Sequence, residues 1–133
     1  MITRENILDL ANKESKHCVS IYLPTHKAGE EVQQDPIRLK NLLTQAVKKL
    51  NDREVREKDI DELLDDARKL LDNPKFWRHN EKGLALFISD GEFEYYRIPH
   101  AFNERVMVDD HFLITPLVPM ITLEGSFCIL ALS

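Results

Sequence analysis

Gln33-Gln34-Asp35-Pro36-Ile37-Arg38-Leu39-Lys40-Asn41-Leu42-Leu43 follows the apolar run Val19-Ser20-Ile21-Tyr22-Leu23-Pro24 and decides the fold, because it joins a core strand to a patterned helix. Pro36 has its φ preset for the first helical turn, where no N–H is needed, and Asp35 before it is expected to cap the helix by accepting orphan N–H groups. Leu39, Leu42, Leu43, Ala46, Val47 and Leu50 then recur on one face, leaving Arg38, Lys40, Asn41, Gln45, Lys48 and Lys49 on the other. Packing accounts for the stripe, and changes at Arg38 or Lys40 are expected to leave the core untouched. It does not account for Thr25-His26-Lys27 or for the paired amides Gln33-Gln34, so function is sought there.

Outward from this junction the elements follow by periodicity and turn chemistry. Thr3 is an N-cap candidate for a short N-terminal helix ending near Lys13 to Lys16, and a strand runs from Cys18 to Leu23. Ala28-Gly29-Glu30-Glu31 reads as a loop. Ile60, Leu63, Leu64, Ala67 and Leu71 place a second long helix over about 55–71, its acids early and Arg68 and Lys69 late, as the helix dipole favours; Asn73-Pro74 ends it. Leu84 to Ile88 is apolar on both faces, as in a central strand, and Asp90-Gly91 turns it into a second strand, with Phe93 and Tyr95 on one face and Tyr96 and Ile98 on the other. Arg105 to Val108 is a further strand turned by Asp109-Asp110, and Pro116 and Pro119 leave room for only a short helix before Met120. The expected class is α/β (α+β): a mixed, mostly antiparallel sheet with an 83–98 hairpin, two long helices packed on it and a short N-terminal helix.

The sequence has 133 residues, 31% charged and 43% hydrophobic, which suits one soluble core. No apolar run reaches the roughly 20 residues of a membrane span, and no signal-type N-terminus stands out, so a cytoplasmic protein without a membrane partner is expected. Cys18 and Cys128 both lie in apolar strand candidates and read as free thiols. Ser126 to Leu132 resembles a buried strand with nothing after it but Ser133, and an unpartnered apolar edge is a hazard. The expectation is a domain over 1–121, then a linker and the first strand of a following, cut-off domain over 122–133, with that strand unable to find a natural place in the first sheet.

The chemistry inventory is thin. With only four glycines there is no phosphate-cradling loop; zinc spacing and a nucleophile turn are also missing, so no cofactor or metal is implied. Asp109-Asp110-His111 reads as a turn rather than a ligand set, and Phe76-Trp77 as core closure rather than a base-stacking platform. The net charge of −5 disfavours broad phosphate binding, so any RNA contact must be local. Lys27, Arg38 and Lys40 beside a helix N-terminus are suited to hold a phosphate or base there.

Val19 to His26, Gln33 to Leu43, Phe76-Trp77-Arg78-His79 and Gly83-Leu84-Ala85-Leu86-Phe87 together resemble the bacterial relatives of the archaeo-eukaryotic class I peptide-chain release factors, in particular their third family. The resemblance runs from about Val19 to Ser133 and is to the N-terminal domain, which in the eukaryotic factors reads stop codons. It implies an α/β domain working in translation termination, ribosome rescue or quality control. Two family patterns are not kept: Gln33-Gln34-Asp35-Pro36 stands where the eukaryotic domain has Asn-Ile-Lys-Ser, and of Tyr-x-Cys-x-x-x-Phe only Phe112 is matched in 106–112. The family's catalytic Gly-Gly-Gln loop belongs to the next domain and does not occur here, so the chain is expected not to be an enzyme.

The leading expectation is a non-catalytic ribosome- or RNA-facing module whose contact residues are Thr25, His26, Lys27, Gln33, Gln34, Asp35, Arg38 and Lys40, with Trp77, Arg78, His111 and Phe112 as secondary candidates. A protein-interaction or small-ligand module is the alternative, and an enzyme using His26 and Asp35 is third. Downstream domains of a longer parent are expected partners; the oligomeric state is open.

Overall fold

A computed structural model describes residues 2–123. Helix α1 (Arg4–Asn12) is capped by Thr3, whose hydroxyl accepts from the Asn6 N–H while the Asn6 side chain accepts from the Thr3 N–H. Strand β1 (Glu14–Pro24) starts at once, so residues expected to finish the helix open the strand instead. A 3-10 turn (Glu30–Gln34) leads into helix α2 (Asp35–Asp52), followed by α3 (Glu57–Leu71), the short α4 (Pro74–Arg78), strands β2 (Gly83–Ser89), β3 (Glu92–Ile98) and β4 (Arg105–His111), a 3-10 turn (Thr115–Leu117) and α5 (Val118–Leu123).

The four strands lie in the order β3-β2-β1-β4 and every pairing is antiparallel, so the expected mixed sheet has no parallel member among the described residues. The cause is the helical connection. α2 and α3 run out and back, returning the chain to the end of the sheet it left, where Pro24 pairs with Gly83 and the Thr25 N–H donates to Lys82 O at 2.9 Å. The 83–98 hairpin is present, turning through Gly91 at φ 77°, a value glycine adopts freely.

Both faces of the sheet are covered, which is why β2 is buried from end to end. Val19, Ile21, Leu23, Leu84, Leu86 and Ile88 meet the stripes of α2 and α3 on one face. Cys18, Tyr22, Ala85, Phe87 and Ile98 meet Ile7 and Leu10 of α1, together with Phe102, Phe112, Leu117 and Met120, on the other. Cys18 is a free thiol whose burial pushes its pKa up. Phe76 and Trp77 close the first core edge-to-face, and the Trp77 indole N–H donates to Leu70 O at 2.7 Å.

Asp109-Asp110, expected to be a turn, is not one: β4 runs through it, Asp109 facing Cys18 and His111 facing Glu14, since continued pairing with β1 outweighs the turn preference of the two acids. Thr122 and Leu123, the first residues of the expected linker, lie in α5. The expected strand at 126–132 lies outside the described residues.

Candidate functional site

The predicted residues separate into a buried frame and an exposed rim. Asp35 is not the N-cap. Gln34 holds that position with no side-chain cap, because the preceding 3-10 turn already feeds α2, and Asp35 faces inward with no exposed surface. Its Oδ2 accepts the His26 backbone N–H at 2.8 Å; its Oδ1 accepts the His26 ring at 2.9 Å and Arg38 Nη1 at 3.0 Å. Because a carboxylate accepts, the ring bonded to it donates from Nδ1, and in the neutral ring Nε2 is then the acceptor edge of a half-exposed imidazole.

Thr25 is equally structural. It is buried and its hydroxyl donates to Glu81 O at 2.6 Å, tying the end of β1 to the loop after α4. Thr25 and Asp35 are therefore buried members of the frame of this corner. His26, Lys27, Gln33 and Gln34 form the rim, and Lys40 is exposed one turn along α2.

The rim cations are largely spoken for. Lys27 meets Glu81 at 3.2 Å, and Arg38, 28% exposed, meets Glu31 at 3.3 Å besides Asp35. Arg38 is thus no freely exchangeable surface residue, contrary to expectation. Lys40 makes no ion pair among the described residues. No sequence signal marks Glu31 or Glu81 as a partner: Glu31 falls in a stretch without periodicity, and nothing local connects Lys27 with a residue so far along the chain.

The secondary candidates disperse. Trp77 and Phe112 are buried, with 5% and 4% exposure, and neither offers a ring face to a base. Arg78 is exposed at the end of α4, beside the loop that holds Thr25. His111 pairs with the first residue of β1, whereas His26 follows its last, so the two stand at opposite ends of the sheet. The His111 ring bonds Asp110 at 2.8 Å, which raises the His111 pKa and lowers that of Asp110. Ligand atoms of Asp109, Asp110 and His111 all come within 4.8 Å of one another, but on an exposed strand edge where two acids and a histidine already satisfy one another.

Two concavities lie nearby or beyond. A groove of about 540 Å³ between α2 and α3 is lined by Pro36, Ile37, Leu43, Val47 and Leu71, with Lys40, Arg68 and Asp72 at its edge; Ile37 is 50% exposed. A cleft of about 740 Å³ opens at the other end of the sheet among Lys16, His17, Arg53, Arg56, Asp59, Glu62 and Asp90. Its walls carry both charges, and Arg53 is committed to the Lys16 and Val108 carbonyls. His17 there has a buried Nδ1 without a hydrogen-bond partner among the described residues, and burial followed by the Arg53 charge lowers its pKa.

No helix of the described residues is long and apolar enough to cross a membrane. No protein-family model matches the chain, and a search of curated proteins finds none that matches it.

Proposed function

We propose that this chain is the non-catalytic N-terminal module of a bacterial release-factor-like protein and faces ribosomal RNA in termination, rescue or quality control. One observation carries the reading. Three of the four segments that bear the resemblance meet at one corner, with the loop that follows the fourth beside them: the end of β1 pairs with the start of β2, His26 bonds Asp35 at the start of α2, and Thr25 bonds Glu81 in the loop after α4. The corner presents an imidazole acceptor edge and two amides on a backbone fixed by a buried carboxylate. Such groups read base edges and 2′-hydroxyls in single-stranded RNA. Hydrolysis of peptidyl-tRNA belongs, in that family, to a Gly-Gly-Gln loop that this sequence does not contain.

Ribosome co-sedimentation of the full chain across a salt series tests the reading. Wild type should pellet with ribosomes, and Gln33→Ala/Gln34→Ala combined with His26→Asn should weaken pelleting about tenfold, on the scale of one to two lost polar contacts. His26→Asn keeps a side-chain N–H near the Asp35 carboxylate while taking away the outward imidazole Nε2. Wild type staying in the supernatant at low salt, or a folded triple variant binding as well as wild type, would refute it.

A second reading, a protein-interaction or small-ligand module, is favoured by the apolar groove beside Ile37 and by the pairing of Lys27 and Arg38 with acids of the same chain. It predicts association insensitive to salt and abolished by Ile37→Glu but not by the Gln33 and Gln34 changes.

A further inference from the structure

Arg38 divides its guanidinium between two acids that are held very differently. Nη1 rests on Asp35, fully buried and bonded twice by His26. Nη2 rests at 3.3 Å on Glu31, whose side chain is 61% exposed. Glu31 sits on the Glu30–Gln34 turn, which buries none of its residues. That turn is entered through Gly29 at φ 95°, a backbone state open mainly to glycine. Moving Glu31 away breaks one screened surface pair and uncovers no core, whereas Asp35 cannot leave. Half of the fork is therefore anchored, and the other half is covered by a displaceable oxyanion. Carboxylate and phosphate oxygens are alternative acceptors for the same planar fork.

The geometry points to a phosphate site at Arg38 Nη2 that Glu31 fills from within the chain and that an RNA backbone phosphate takes over by displacing it. This inference rests on the RNA-facing reading and names the backbone contact it needs. Lys27, exposed and held among the described residues by the surface acid Glu81, stands on the same loop as the second cation. The exchange also explains how a chain of net charge −5 admits RNA at one point: it must first withdraw an acid of its own.

The test is fluorescence anisotropy of a short labelled single-stranded RNA with the full chain across a salt series, comparing wild type, Glu31→Gln and Glu30→Gln. Glu30 is an exposed neighbour that pairs with no cation among the described residues, so its change alters net charge equally without uncovering Arg38. Glu31→Gln should bind up to about fivefold tighter, the worth of an exposed ion pair. Its log–log salt slope should stay close to that of wild type, because the same phosphate is neutralised in both complexes. Glu30→Gln should not tighten binding, and adding Arg38→Lys to Glu31→Gln should remove the gain, since a lysine cannot hold Asp35 and a phosphate together. Glu31→Gln binding no tighter than Glu30→Gln overturns the site. A parallel titration with inorganic phosphate separates the source: a gain for phosphate but none for RNA keeps an oxyanion site and overturns its RNA assignment. The wider reading is scored separately, on co-sedimentation of wild type with ribosomes, so failure of the exchange alone is recognisable.

Discussion

Replacing Asp35 by alanine separates its two structural readings by magnitude. As a helix cap its loss costs about 1 kcal/mol. In the structure it accepts three hydrogen bonds while fully buried: the His26 N–H, the His26 ring and Arg38 Nη1. Each bond to a charged group is worth about 1.5–3 kcal/mol, but the partners recover part of this on release. Arg38 is 28% exposed and the His26 ring 34%, so both turn readily to water, while the His26 N–H, pinned behind the end of β1, does not. We therefore expect Asp35→Ala to lose about 2–4 kcal/mol, short of the full sum and clearly above a cap. Urea unfolding followed by far-UV circular dichroism, fitted with a common m-value, reads the difference directly. Asp35→Asn should recover part of the loss by keeping one acceptor. A loss of about 1 kcal/mol or less for the alanine variant would show that the network contributes nothing beyond the cap, and the rigid corner on which the functional reading depends would fall with it.

Arg38→Ala should cost about 1–3 kcal/mol by stripping a partner from a buried carboxylate, against about 0.5 or less for Lys40→Ala, and equal melting temperatures for the two variants would contradict the division of Arg38 between Asp35 and Glu31. Gly83→Ala should destabilise by about 2 kcal/mol or more, since a Cβ there runs into the His100 carbonyl oxygen and lies 2.7 Å from a Phe102 ring carbon; a neutral result in thermal unfolding would mean that the 98–102 segment packs less closely. Imidazole NMR titration should find His111 above and His17 below the ordinary value of 6.5, from the hydrogen bond to Asp110 and from burial reinforced by Arg53 respectively. The stability contributed by His111 is then present below its unfolded value and lost as pH rises through the folded one, while that of His17 is present above its unfolded value and lost as pH falls; the reverse order of the two titrations would refute both environments.

Much of the fold was open to reading along the chain. The stripes of α2 and α3, the Asp90-Gly91 hairpin and the alternation of Phe93 and Tyr95 against Tyr96 and Ile98 are set by periods of a few residues and by local turn chemistry, which act before any distant contact forms. The candidate site was found by the same route, as polar residues that packing left unexplained.

What the sequence could not assign was the job of each polar group, because burial and partners come from residues brought together by the fold. Asp35 was legible as an acidic helix start, but only the meeting of β1 with α2 makes it the buried acceptor of His26 and Arg38. Asp109-Asp110 carried a sound turn signal until β1 offered it a pairing edge. Phe112 became a core residue, and Lys27 and Arg38 acquired Glu81 and Glu31 as partners, through approach in space rather than any pattern in order. Local periodicity is written into the chain itself, whereas a carboxylate is a cap, an anchor or a stand-in for phosphate according to which donors the tertiary structure brings within about 3 Å of it.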